Sequence, residues 1–256
     1  MQSAPANKIW GLGEAGIAWL TSQLLALVGL VGLLVFGGWS AYSPVRPGGH
    51  LGRATAQVAS GQDLENDSIP LAWQLLTLLP LWIGLLGIAW LVAVVLGRDR
   101  PGWRIELLPR DVATGVAAGV LLQVPLIPIL YLVIETIFGE IQPTGRALAL
   151  TDQVDSVVEV VLIVAFIAVG APVVEELFYR GLVQRSLVDR FGPVFGIAAA
   201  ALVFGAVHFS WIELPALALV GLVLGVLAWR SGRLGPAIVG HVTFNLFTLV
   251  NLLAAG

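Results

Sequence analysis

The sequence holds no cysteine. That excludes disulfides, thiolate metal ligands, a cysteine nucleophile and cysteine lipidation. Charge is scarce as well. Only 11% of the 256 residues are Asp, Glu, Lys or Arg, where a soluble domain carries roughly 25%. The net charge of −3 offers no basic surface for a nucleic acid. Two familiar hydrolase signatures are missing: no His-Glu-x-x-His helix for a common zinc protease and no Gly-x-Ser-x-Gly elbow. No long internal repeat and no stretch that reads as a soluble domain stand out.

What is abundant is apolar surface. Hydrophobic residues make up 58% of the chain, above the roughly 45–50% of soluble domains. The expectation is an all-α, polytopic membrane helix bundle of about seven transmembrane helices, with six to eight as the range. The spans read as Ile17 to Gly38, Leu71 to Leu96, Val112 to Phe138, a helix from Val157 through the charged stretch up to Arg190, Pro193 to about Trp211, Ala216 to Trp229, and Ala237 to about Leu253. Pro125 and Pro128 are expected to kink the third. Phe191-Gly192-Pro193 is expected to end the fourth helix and start the fifth. Loops rich in Gly, Pro and charge occupy 39–69, 97–111 and 139–155. The first apolar run has no small-x-small cleavage site after it and reads as a retained helix.

Orientation follows from the Lys and Arg distribution. With the N-terminus cytoplasmic, ten Lys and Arg residues fall inside and three outside (Arg46, Arg53 and Arg146). The domain reading is an N-terminal two-helix membrane region, 1–110, followed by a catalytic membrane core, 111–256. Most of the nine tryptophans read as interfacial anchors.

The exceptions to the apolar pattern carry the functional reading. Glu175-Glu176-Leu177-Phe178-Tyr179-Arg180 closes a long apolar run, and ionisable groups at membrane depth are functional by default. Glu176 and Arg180 are i, i+4, as are Phe204 and His208, and His241 and Asn245. If the fourth and fifth helices turn back at 191–192, Glu175 and His208 both lie about 22 Å from the turn and are level. His241, five residues past Pro236, falls in the same half of the bundle. A carboxylate in a low-dielectric cavity, hydrogen-bonded to a histidine, can deprotonate water. A second histidine and an asparagine amide can donate to the developing oxyanion.

Blander roles stand beside these. The Glu-Glu-Arg group can lock helices together, and His208, His241 or Asn245 can be interhelical glue. Glu135, a further intramembrane carboxylate, reads as lying near the outer surface.

Glu175-Glu176-x-x-x-Arg180, Phe204-x-x-x-His208 and His241-x-x-x-Asn245, in that order on separate apolar segments, resemble the three motifs of the CPBP family. That family comprises type II CAAX prenyl proteases and bacteriocin-processing (Abi) intramembrane proteases. The resemblance covers roughly residues 115–253. It implies an intramembrane endopeptidase (a hydrolase) acting on membrane-anchored or CAAX-like peptides in a bilayer, in a bacterial plasma membrane, from a cytoplasm-facing cavity. By the same resemblance, Glu175 would activate water with His208 as its partner. Glu176 and Arg180 would fill the remaining charged positions, and His241 and Asn245 would support the oxyanion. Two chemistries remain open: a metal-free glutamate base, which we favour, or a zinc ion held by Glu175, His208 and His241. The rival readings are a non-catalytic bacteriocin-immunity or scaffold protein on the same fold and, behind it, a proton-coupled transporter.

Overall fold

The computed structural model describes residues 12–36, 71–88, 90–91, 103–140, 148 and 150–255. Among these residues there is no strand, and helix accounts for nearly everything. Helix α1 is Leu12–Phe36, α2 spans 71–88, and α3 is Pro109–Phe138. Helix α4 spans 157–191 and α5 spans 193–206, followed by α6, Leu214–Ser231, and α7, Gly235–Ala255. By length and composition, Leu12–Gly29, Pro109–Phe138, Val157–Ala206, Leu214–Ser231 and Gly235–Ala254 are each sufficient to cross a membrane. Gln74–Gly87 is a shorter apolar helix. The expected count of about seven therefore agrees as an approximation. The loop at 39–69 and the end of the second expected span lie outside the described residues.

Local sequence accounts for the helix ends. Helix α4 opens at Ser156, whose hydroxyl accepts from the Glu159 backbone N–H at 3.3 Å, while Glu159 accepts from Asp155 N–H at 3.0 Å. This Ser-x-x-Glu pattern serves donors that the first turn leaves without partners. Helix α3 opens at Pro109, and Asp111 accepts from Leu108 N–H at 3.0 Å. Gly192, at φ 79°, breaks α4 from α5, and Pro193 restarts the helix. Gly232, at φ 64°, ends α6. A side chain at either glycine would be strained in that left-handed backbone. Helix α1 begins five residues before the expected start, because Leu12 and Ala15 are apolar enough to continue the packed face beyond the polar leader.

The prolines of α3 do not interrupt it. Around Pro125 the helix widens into i→i+5 hydrogen bonding over 122–126, with Ile127 N–H reaching Leu122 O. The missing proline donor is absorbed by a wider turn. Helix α4 widens in the same way over 164–170 and again over 176–184.

Glycine seams set the helix positions. Helices α3 and α7 run in the same direction in close contact. A Cβ on Gly115 would stand 2.6 Å from Val239 Cβ, and one on Gly119 would stand 2.6 Å from Gly240 O. Helix α6 approaches α5 and α4 through Gly221 and Gly225: added Cβ atoms would fall 2.9 Å from Ala201 Cα and 2.5 Å from Gln184 Oε1. Small residues permit such backbone contact where lipid supplies no hydrophobic drive between helices. The principal buried cluster joins Ala15, Ala18 and Leu85 from α1 and α2 to Phe178, Leu182, Phe204 and Leu224. The two N-terminal helices thus share one core with the later five.

The starts of α3 and α7, the α4–α5 turn and the α6–α7 turn meet at one end of the bundle. Leu234 N–H donates to Arg104 O at 2.9 Å, and Arg233 pairs with Asp111. Arg104, Arg185 and Arg233 gather there around a cavity of about 250 Å³ that Arg180 also lines.

Candidate active site

Four buried polar residues occur within eleven positions of α4: Glu176, Arg180, Gln184 and Ser186 lie among the most enclosed groups of the described residues. Glu176 is completely buried. Its Oε1 takes two neighbours. His241 Nδ1 approaches to 2.9 Å and Arg180 Nη1 to 2.8 Å. A carboxylate can only accept, so His241 Nδ1 carries the proton and donates. The Arg180 contact is chiefly electrostatic, since its Nη1–H bonds do not align on the oxygen. Arg180 Nη2 reaches Gly221 O at 3.4 Å, and its Cζ stands 4.3 Å above the Phe204 ring. Cation–π attraction of this kind grows when the charge is desolvated.

Phe204 is the platform of the site. Beyond Arg180, its ring meets Tyr179, His208 and His241 edge-on, with centroids 5.4, 5.1 and 5.7 Å away. Both histidines are therefore brought against one ring, His208 from the turn after α5 and His241 from α7. His208 Nδ1 donates to Phe204 O at 2.7 Å, which makes Nε2 the unprotonated nitrogen of the neutral ring. The sequence spacing marked Phe204 only as the partner of His208 by i, i+4. Its contact with the α4 and α7 residues required the tertiary structure.

Glu175 differs from its neighbour. Its side chain is 22% exposed, where that of Glu176 is not exposed at all. Glu175 Oε2 lies 3.9 Å from His241 Nε2. His241 therefore stands between the two carboxylates, held by Glu176 through one nitrogen and facing Glu175 with the other. The sequence reading paired Glu175 with His208; the structure adds His241, 3.9 Å from Glu175.

Asn245 lies one turn along α7 from His241 and donates through Nδ2 to Ile167 O at 2.9 Å. The reason lies in α4. At this point the winding is i→i+5, since Ala171 N–H bonds Phe166 O. The next donor in that register is residue 172, a proline without an N–H. Ile167 O is thereby left without its helical partner, and the Asn245 amide takes it. An oxyanion contact from Asn245 would have to use the second N–H of the same amide.

The donor set for a metal was also considered. Among the described residues, no three His, Asp or Glu side chains are grouped so as to hold a metal ion. His241 Nδ1 is engaged by Glu176, and its Nε2 faces Glu175 Oε2 at 3.9 Å. No step below runs through a metal.

Residues missed by motif reading are Gln184 and Trp103. Gln184 extends the Glu176, Arg180 series by one more i, i+4 step. Its Nε2 donates to Gly225 O at 2.9 Å. Trp103 packs over Gly181, where an added Cβ would meet its ring at 2.6 Å.

Residues 157–247 match a protein-family model described as Rce1-like, type II CAAX prenyl endopeptidase. The match runs from the start of α4 into α7 and contains all seven motif residues. The resemblance to the CPBP family is borne out over this stretch, and it supports a membrane peptidase. No curated protein and no solved structure matches the chain significantly.

Proposed function

We propose, from an Rce1-like domain at 157–247 in a bundle of membrane-spanning helices, that this chain is an intramembrane endopeptidase in which Glu175 activates the hydrolytic water. The observation that carries this reading is the contrast between the adjacent carboxylates. Glu176 is enclosed and held by Arg180 and His241, while Glu175 is partly open beside the same histidine. One carboxylate organises the site and the other is free to exchange a proton.

The water would give its proton to Glu175 as its oxygen attacks the scissile carbonyl carbon. His208, oriented by Phe204 O, would position that water through Nε2. His241, held by Glu176 through Nδ1, would present Nε2–H to the developing oxyanion in its doubly protonated form. Glu175 would then pass its proton to the leaving amine, which restores the carboxylate and completes peptide hydrolysis. Each proton stays inside the site until product leaves.

The arginine-rich end would face the cytoplasm by the positive-inside rule, which also places the N-terminus there. The substrate would be a membrane-anchored peptide. The test compares purified wild type with Glu175→Ala on a pooled library of membrane-anchored peptides, with metal content measured on the same samples. Loss of cleavage of about 10²–10⁴-fold in a folded variant is expected for removal of a general base. Unchanged cleavage would refute the assignment. Stoichiometric metal in the active wild type would replace the glutamate-base chemistry with a metal-assisted one.

A further inference from the structure

Glu176, Arg180 and Gln184 form a ladder on one face of α4, and each carries a buried polar atom without a hydrogen-bond partner: Glu176 Oε2, Arg180 Nη1 and Gln184 Oε1. Arg180 and Gln184 are also tied to α6, to Gly221 O and Gly225 O. Trp103 Nε1, over the same face, is a fourth atom of this kind. Buried polar groups are paired in the great majority of cases, and a cluster of exceptions points to water. The order along the ladder is acceptor, donor, acceptor. Successive side chains are at most about 6 Å apart along the axis. That is the reach of one water bridging two polar atoms at about 2.8 Å each. The ladder also opens onto something. Arg180 and Gln184 line the cavity of about 250 Å³ at the arginine-rich end, with Ala228 and Leu234 on its other wall.

We propose that this cavity is the inlet of a file of waters that runs past Gln184 and Arg180 to Glu176 and supplies the site with the water it consumes. The supply role rests on the peptidase reading; the hydration of the ladder does not. The inlet runs beside α6, between Gln184 and Ala228. A peptide held at Glu175 would therefore leave water free to enter from below. Gly225 keeps the passage open, since a Cβ there would collide with Gln184 Oε1.

The absence of native cysteine makes the test direct. Single cysteines are placed in the full-length chain in detergent as Gln184→Cys and, separately, Ala228→Cys. Both are treated with 2-sulfonatoethyl methanethiosulfonate, a small anionic thiol reagent. Arg185→Cys, on the exposed side, is the positive control, and Leu224→Cys, buried in the apolar cluster, is the negative one. Labelling at 184 and 228 is expected, with loss of the Gln184→Cys signal when Ala228→Leu fills the cavity. Absence of labelling at both positions while Arg185→Cys reacts would overturn the inlet. In the cysteine-free chain, Ala228→Leu is expected to lower kcat with KM unchanged. Labelling with an unaltered kcat would overturn the supply role. Labelling of the cysteine variants beside a wild-type chain that cleaves no peptide would keep the hydrated ladder and remove the peptidase reading, so the two failures are distinguishable.

Discussion

Among the described residues, two enclosed carboxylate–arginine pairs are built differently. At the rim, Asp111 and Arg233 come from segments 122 residues apart and meet through two contacts, 2.6 and 3.2 Å. Asp111 also accepts from Leu108 N–H, so its oxygens are occupied. In the interior, Glu176 and Arg180 sit on one helix at 2.8 Å, and each keeps an unpartnered atom. The rim pair is complete and does one thing: it fastens the start of α3 to the α6–α7 turn. The inner pair is enclosed yet incomplete. A structural latch has no reason to leave polar atoms unsatisfied in a low dielectric, whereas a site that must accept water and substrate does.

The largest break in this comparison comes from Arg180→Met. It leaves Glu176 as an uncompensated buried charge, and a loss of about 3–5 kcal/mol in unfolding free energy is expected. Denaturation followed by tryptophan fluorescence measures it. Adding Glu176→Leu is expected to restore much of the stability, because well-packed apolar pairs replace buried ion pairs at little cost. Cleavage is expected to stay absent in the double variant, which separates the organising role from the structural one. If the double variant were no more stable than Arg180→Met, the charge argument would fail.

A middle effect is expected at Asn245. Asn245→Leu strands Ile167 O, with a loss of about 1–3 kcal/mol. In a Pro172→Ala background the restored N–H can take that carbonyl, and the same Asn245→Leu change is expected to be milder. A double-mutant cycle reads the difference directly. Equal losses in both backgrounds would show that the amide does not substitute for the missing proline donor. Gly119→Ala is expected in the same range, about 1–3 kcal/mol, because a methyl group must displace the α7 backbone at Gly240.

The smallest effect is expected at the rim. Asp111→Asn keeps the shape but removes one charge of the pair and one of its two accepting oxygens. It is expected to lower the unfolding midpoint less than any change above and to leave cleavage intact. Loss of cleavage with Asp111→Asn would mean that the two pairs are coupled rather than separate.

The three i, i+4 pairs and their order were legible because helical spacing and the expense of charge in lipid are local properties. So was the break between α4 and α5 at Gly192-Pro193. The assignment of partners was not legible. His241 was read as an oxyanion donor or metal ligand, and the structure binds its Nδ1 to Glu176. Asn245 was read as oxyanion support, and its amide serves a carbonyl that Pro172 leaves unpaired. Both outcomes depend on rotations of α7 against α4 that no spacing within one helix encodes.

By itself, then, the sequence determined a helical membrane protein, the order of its helices, and which few polar residues had to find partners. Burial in lipid forbids unpaired backbone and makes each charge conspicuous, and both constraints are written residue by residue. Only the tertiary structure decided which carboxylate is enclosed and which is open, and which carbonyl each donor meets. Those choices follow from glycine contacts between α3 and α7 and between α6 and its neighbours, where a difference of one methyl group sets the rotation that aims a side chain.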